Sequence, residues 1–329
     1  MIVRFFNPEC VNIRDFFVIS HPNMNILFII IGIALVLWGA DRLTDGATSI
    51  AQRLNVPQIV IGLTVVAMGT SAPEFFVSFV SALKGTTDMA VGNVIGSNIF
   101  NTLLIVGVAA MVSPMTIATN TVRKDMPCAV IAALMLLLMS LDNELSRLDA
   151  ALLFAAFILF MLYTLHLAKT GKQEDDLQPP MKPLKAVFYL LLGLACLIFG
   201  SNLFVEAATQ VAKSLGVSEA MIGLTIVAGG TSLPELATSV VAALKGRSAI
   251  AIGNVIGSNV FNILMILGIT GVICPMDLKG ITLIDFGVLI GSIVLLWFFT
   301  FTKYTVARWE GAVLTLIFVG YMTHLIMSI

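Results

Sequence analysis

Residues 61–108 align without a gap with residues 222–269, 161 positions further on, and the two stretches are identical at 30 of 48 positions. The first reads IGLTVVAMGTSAPEFFVSFVSALKGTTDMAVGNVIGSNIFNTLLIVGV and the second IGLTIVAGGTSLPELATSVVAALKGRSAIAIGNVIGSNVFNILMILGI. Chance does not produce such a match, so the chain is a duplicated unit and the fold must accommodate two similar copies. The same offset pairs Gly39 with Gly200, Asp41 with Asn202, Thr48 with Thr209, Ala51 with Ala212 and Val56 with Val217. The duplication therefore reaches upstream through a whole preceding helix, and the unit is about half the protein.

That unit belongs in lipid. Of the 329 residues, 58% are hydrophobic and 11% charged, and the mean hydropathy is +1.01, more apolar surface than a water-soluble core can hide. Apolar stretches of roughly 17–25 residues, the length that crosses about 30 Å of hydrocarbon, recur between short polar breaks. They predict helices at 25–41, 57–83, 88–112, 126–141 and 147–168, then 185–206, 217–244, 249–273, 282–301 and 308–327. The expected fold is an all-α integral membrane protein of ten transmembrane helices, five in a first repeat (25–168) and five in a second (185–329), with broken helices at the midplane. Residues 1–24 form an N-terminal interfacial extension, and 169–184, charged and proline-rich, a cytoplasmic linker.

Five spans per half is an odd number, so equivalent halves must enter the bilayer in opposite senses, giving an inverted-topology repeat. With the N-terminus outside, twelve of the eighteen Lys and Arg fall on the linker's side, as the positive-inside rule requires. The short chain and linker point to a prokaryotic cytoplasmic (inner) membrane. A net charge of −1 with no basic run leaves no footprint for nucleic acid or a polybasic lipid anchor. The four cysteines (Cys10, Cys128, Cys196, Cys274) lack the close spacing of a zinc or disulfide framework and read as packing residues. Neither a cofactor nor an obligate protein partner is expected. The partners are small cations and membrane lipid.

Each copy puts a glutamate, Glu74 or Glu235, in mid-span, where an ionised carboxylate costs at least about 2.5–3.5 kcal/mol unless compensated. No lysine or arginine is predicted at that depth, which leaves a mobile cation as the natural counter-charge. The preceding Gly69-Thr70-Ser71-Ala72-Pro73 and Gly230-Thr231-Ser232-Leu233-Pro234 break the helix there: proline has no N–H and clashes with the carbonyl four residues back, releasing the oxygens of Gly69 and Gly230. Unpaired carbonyls in lipid are tolerated only where they line a cavity or an ion. Carboxylate, hydroxyl and carbonyl oxygens form a hard donor set suited to Ca²⁺ or Na⁺. The next helix carries Asn93, Ser97 and Asn101, or Asn254, Ser258 and Asn262, at i, i+4, i+8, a polar stripe on one face. Beside it Gly92 and Gly96, or Gly253 and Gly257, form a small-xxx-small pair expected to pack closely on a neighbour.

Together, G-T-S-x-P-E followed by G-N-x-I-G-S-N-x-F-N in both halves resembles the paired alpha-repeats of the cation/calcium antiporter family, the sodium/calcium exchangers and their prokaryotic relatives. The resemblance covers nearly the whole chain. It implies ten helices, with the second and third of each half forming a central ion site that exchanges Na⁺ for Ca²⁺ by alternating access. Carried over position by position, it implies Glu74 and Glu235 as shared carboxylates, backbone oxygens of Ala67, Thr70, Ala228 and Thr231 completing the sites, and hydroxyls of Ser71, Ser97, Ser232 and Ser258 at flanking sodium positions. Prokaryotic and potassium-dependent members often have aspartate where this chain has Asn262, and Asn101 is its counterpart. Two central charges still neutralise one Ca²⁺, and the missing aspartate argues against potassium dependence. The short linker leaves no room for a large calcium-sensing region.

Other readings compete residue by residue. Glu74 and Glu235 could be protonated acids bridging helices, and Asn101 and Asn262 interhelical glue, worth about 0.6 kcal/mol on average in membranes. Asn93, Asn98, Asn254 and Asn259 divide evenly between glue and site, Asp41 reads as a solvated or capping residue at a helix end, and Asp125 and Asp285 as loop or interface charges. Ser71 and Ser232 have no histidine or lysine base in either repeat, so no serine-nucleophile chemistry is expected and the chain is not read as an enzyme. Proton-coupled transport of Ca²⁺ or Mn²⁺ and a non-transporting cation sensor or scaffold are the alternatives to sodium/calcium exchange.

Overall fold

The computed structural model describes residues 22–170, 179–217, 222–278 and 280–327; most of the expected N-terminal extension and residues 171–178 of the linker lie outside them. The first half comprises α1 (Pro22–Leu54), α2 (Gln58–Thr70), α3 (Ala72–Leu83), α4 (Thr87–Val112), α5 (Met126–Met139) and α6 (Arg147–Thr170). The second comprises α7 (Pro183–Ser214), α8 (Ala228–Thr231), α9 (Leu233–Leu244), α10 (Ser248–Ile273), α11 (Leu283–Lys303) and α12 (Arg308–Met327). Among the described residues, seven helices are long and apolar enough to cross a bilayer, and nine spans result if each bent pair counts once. The remaining expected span is α5, whose 14 residues rise only about 21 Å; it is entered through a π turn at Thr121–Asp125.

α1 and α7 run well past the predicted ends at 41 and 206. Nothing in 42–54 breaks a helix, and the charges that suggested an end are used laterally. Lys245 pairs with Asp41 at 2.5 Å and Asp45 at 2.8 Å, and Arg247 with Asp45 at 2.7 Å. Asp41 is therefore an ion-paired residue within a helix, not a cap. Pro73 and Pro234 break their helices as predicted: α2 and α3 meet at 48°, and the helical stretch Thr225–Thr231, which ends in α8, meets α9 at 55°.

The backbone repeats as faithfully as the sequence. The six positive-φ residues among those described form three pairs at the 161-residue offset: Asn55 (52°) with Gly216 (80°), Gly85 (78°) with Gly246 (71°), and Asn143 (61°) with Tyr304 (53°). Asn and Gly at the first pair are the residues that tolerate the left-handed region where a helix ends. π turns recur at Gly62–Val66 and Gly223–Val227, and within α4 and α10 at Phe100–Ile105 and Phe261–Ile266. Hydrophobic periodicity gave no sign of them.

Contacts between the halves are reciprocal. A Cβ on Gly32 would lie 2.8 Å from the Gly200 carbonyl oxygen, and one on Gly39 2.9 Å from that of Gly193, so α1 and α7 cross backbone to backbone about a pseudo-two-fold axis. Four two-residue strands follow the same rule: β1 (Met115–Thr116) pairs with β4 (Thr305–Val306), and β2 (Glu144–Leu145) with β3 (Met276–Asp277). β1 and β3 are repeat equivalents, yet each pairs with the other half's counterpart of a loop one helix further along. Since α5 separates β1 from β2, β1 and β3 lie at opposite ends of the molecule, the arrangement an inverted repeat demands. The centre belongs to α4 and α10, buried over 72% and 78% of their apolar windows against 28% for α1 and α7.

Candidate functional site

The helix breaks bring Glu74 and Glu235 to the first turns of α3 and α9, facing each other across the axis, both essentially inaccessible to solvent. Each carboxylate is held by the serine just before the break in the other half: Ser71 Oγ donates to Glu235 Oε1 at 2.7 Å, and Ser232 Oγ to Glu74 Oε1 at 2.9 Å. Among the described residues neither glutamate is paired with a lysine or arginine. Glu74 Oε2 and Glu235 Oε2 are buried with no hydrogen-bond partner.

α4 and α10 supply the neighbouring wall. Asn93 Nδ2 donates to the Glu74 carbonyl (3.2 Å) and to Ser78 Oγ (2.9 Å). Asn254 repeats this with Glu235 (3.3 Å) and Ser239 (3.0 Å), and its Oδ1 accepts from Thr70 Oγ1 at 3.1 Å. These two asparagines brace the helix turns that carry the glutamates.

Two turns on, Asn262 and Asn101, each within a π turn, reach the other half: Asn262 Nδ2 donates to Asn98 Oδ1 (2.9 Å) and Asn101 Nδ2 to Asn259 Oδ1 (3.1 Å). Asn98 and Asn259 are thus the amide anchors between halves. This arrangement turns the oxygens Asn101 Oδ1 and Asn262 Oδ1 away from the anchors, buried and unpartnered.

The remaining expected site residues divide. Ser258 Oγ is buried without a hydrogen-bond partner, while its equivalent Ser97 lines a cavity of about 540 Å³ together with Asn93, Gly92, Gly96 and Thr231. The Ala67 carbonyl already accepts from the Ser71 N–H at 3.0 Å and the Thr70 hydroxyl at 3.3 Å, so both lone pairs are in use and one must be released before it binds anything else. The Gly230 oxygen likewise accepts from the Ser232 N–H rather than standing open. Ala228 and Thr231 lie on α8, directly before the break.

The small-xxx-small pairs do not behave alike. A Cβ on Gly253 would meet Gly62 Cα at 3.1 Å, and one on Gly257 Leu63 Cα at 2.7 Å, whereas Gly96 has nothing within 4 Å and Gly92 only Ile281 at 3.6 Å. On one side of the centre α10 is sealed against the π turn of α2. On the other the equivalent face of α4 looks into the cavity. Met89 is 58% exposed there, and its counterpart Ile250 is fully buried. Of two pseudo-symmetric helix faces, one borders a cavity and the other is packed shut.

A cluster of buried hard oxygens between two inverted halves, with a cavity beside it on one side, is what a cation carrier requires. Comparison with known proteins agrees. The family model described as "Sodium/calcium exchanger protein" matches residues 24–166 and again 185–327. The chain belongs to the sodium/calcium exchanger family. Among its relatives, the putative antiporter CaxA of Alkalimonas amylolytica is 39% identical over 92% of this chain and 98% of its own length. The sodium/calcium exchanger MaX1 of Methanosarcina acetivorans is 33% identical over 92% and 98%, and the inner membrane protein YrbG of Escherichia coli 38% over 75% and 79%. Solved structures of the sodium-calcium exchanger NCX_Mj superpose with a TM-score of 0.82 at 29% identity, covering 92% of this chain and 99% of that one. This exchanger-family chain is therefore an integral membrane transporter of the cation/calcium antiporter type.

Proposed function

We propose that the chain exchanges Na⁺ for Ca²⁺ at one central site, with Glu74 and Glu235 as the shared carboxylates. The observation that carries this reading is the set of four buried oxygens without hydrogen-bond partners: Glu74 Oε2, Glu235 Oε2, Asn101 Oδ1 and Asn262 Oδ1. They come in two repeat-related pairs and consist of two anionic and two neutral donors. Burying such groups unpaired costs several kcal/mol in all, at about 1–3 kcal/mol each, and a cation held among them returns that cost. All four are oxygens, which favours a hard, weakly held ion over a transition metal.

The two carboxylates match the charge of one Ca²⁺ or of two Na⁺. Competition for them couples the opposing fluxes, because a carrier with both oxygens uncompensated in lipid is the costly state to reorient. Ser71, Ser232, Ser97, Ser258 and the carbonyls of Ala67, Thr70, Ala228 and Thr231 would flank the pair as Na⁺ ligands. Reorientation exchanges the environments of the halves: the α4 face closes on the Gly223–Val227 turn as α10 leaves Gly62–Val66. With the N-terminus outside a prokaryotic cytoplasmic membrane, the open cavity faces outward.

The test is ⁴⁵Ca²⁺ uptake into Na⁺-loaded proteoliposomes, against choline-loaded and pH-gradient controls. Uptake driven by Na⁺ and abolished by Glu74→Gln and by Glu235→Gln is the expected result. Uptake driven by the pH gradient alone would select proton-coupled Ca²⁺ or Mn²⁺ transport. Cation binding without flux under any gradient would overturn transport in favour of a sensor.

A further inference from the structure

Two aspartates outside the central cluster receive opposite treatment from the fold. Asp285, at the start of α11, is the one charged residue among the described residues lining the 540 Å³ cavity. Its carboxylate is fixed by neutral donors only: Tyr321 Oη gives to Oδ1 at 2.7 Å, and the Thr282 N–H and hydroxyl to Oδ2 at 2.8 and 2.7 Å. It enters none of the ion pairs among the described residues. A single uncompensated negative charge in a largely apolar wall focuses its field into the cavity, where it raises the local concentration of cations. The same cavity reaches Asn93, Ser97 and Thr231, so a cation drawn to Asp285 is already on the way to the centre.

Asp125 stands at the matching place in the first half. Thr121 and Thr282 are repeat equivalents, and each is followed within about one turn by an aspartate, four residues on in the first case and three in the second. The π turn Thr121–Asp125 accounts for the slip, since it holds more residues per turn than the α-helix that begins at Leu283. Tyr163 on α6 lies within electrostatic reach of Asp125, as Tyr321 on α12 lies beside Asp285. The strand pairs place the start of α5 at the opposite end of the molecule from the start of α11. At that closed end Asp125 is fully buried, and its two carboxylate oxygens and the Tyr163 hydroxyl have no hydrogen-bond partner.

We propose that Asp285 is the cation-collecting residue of the open vestibule, and that Asp125 takes the same part in the vestibule that opens at the opposite face. Neither belongs to the central ligand set. Their cargo is the hydrated Ca²⁺ or Na⁺ of the exchange reading, on which this inference rests. Asp285 acts on entry and not on the exchange step, so its removal changes the apparent KM for cation at one face and leaves the maximal rate.

The experiment measures initial ⁴⁵Ca²⁺ flux against Ca²⁺ concentration from each face of oriented vesicles, at low and high ionic strength, for wild type, Asp285→Asn, Asp125→Asn and Glu74→Gln. Asp285→Asn is expected to raise KM about threefold or more at the face where α12 ends, and at low salt only. Asp125→Asn is expected to do so at the other face. Tyr321→Phe and Asp285→Glu, which keep the charge, should stay near wild type, and Met89→Glu, which adds a charge to the same wall, should lower KM. An unchanged KM in both asparagine variants, an equal change at both faces, or a salt-insensitive loss of maximal rate would overturn the proposal. If Asp285→Asn does not reconstitute, an unchanged KM in Met89→Glu would overturn it equally. Wild-type flux that is lost in Glu74→Gln shows the central reading to hold whichever way the aspartates fall.

Discussion

Asn262 shows how one side chain can tie the fold together and still leave an oxygen unused. Its Nδ2 donates to Asn98 across the axis while its Oδ1 is buried without a partner. Replacing it by aspartate puts an oxygen where the donor to Asn98 Oδ1 was and adds a third negative charge to the centre. Without divalent cation, Asn262→Asp should therefore melt several degrees below wild type. Saturating Ca²⁺ should return most of that loss, giving a larger Ca²⁺-induced shift in melting temperature than wild type shows; an equal shift would argue against Asn262 lying at the ion. Asn259 offers the contrast. Asn259→Ala strands the buried Asn101 amide and removes the donor to Thr102 Oγ1, which keeps its own bond to the Asn98 carbonyl, at a cost of about 1–3 kcal/mol. The loss should appear in a detergent thermal melt whether or not cation is present.

Elements decide which of two identical sequences is pressed shut. The glycines of α4 and α10 sit in the same G-N-V-I-G-S-N motif, yet only those of α10 meet the π turn of the opposing helix. Gly257→Ala, whose Cβ would fall 2.7 Å from Leu63 Cα, should lower stability by about 1–3 kcal/mol and loosen the closed side. Gly96→Ala meets nothing in this state and should fold and melt like wild type. Its flux should nevertheless fall, because the same Cβ must enter the Gly223–Val227 contact when the cavity closes. Normal flux in Gly96→Ala would mean that the two glycine faces do not trade places. Much of this level was legible beforehand: the mid-span breaks at Pro73 and Pro234 follow from proline's missing N–H. The π turns were not, since in helices apolar on nearly every face a one-residue shift of register leaves no mark on the hydrophobic pattern; those in α4 and α10 carry the buried Asn101 and Asn262.

Across the whole molecule the halves are not quite symmetric, and the difference is electrostatic. On the closed side Asp41 and Asp45 of α1 are tied to Lys245 and Arg247 beyond α9. The repeat equivalents on the open side are Asn202, Glu206, Lys84 and Thr86, which offer one carboxylate and one cation in place of two of each. Lys245→Ala with Arg247→Ala should weaken the closed side. The readout is thiol labelling of Ile250→Cys in a background without native cysteines, expected to rise severalfold. Asp41→Lys and Asp45→Arg combined with Lys245→Asp and Arg247→Asp should restore protection, and failure of both effects would remove the ion pairs from any part in holding that side shut.

The repeat, the membrane setting and the two glutamates beside their prolines were all determined by sequence alone, because each rests on local chemistry or simple counting. Tertiary structure decided the rest. The serine of one half reaches the glutamate of the other, and Asn98 and Asn259 anchor while Asn101 and Asn262 each keep a buried oxygen without a partner. Asp125 and Asp285, which as isolated charges looked like loop residues, became a buried carboxylate and a cavity wall. The physical reason is that a duplicated sequence fixes the composition of each half but not the environment the other half provides: identical motifs packed about an imperfect two-fold axis can have one face sealed and the other open.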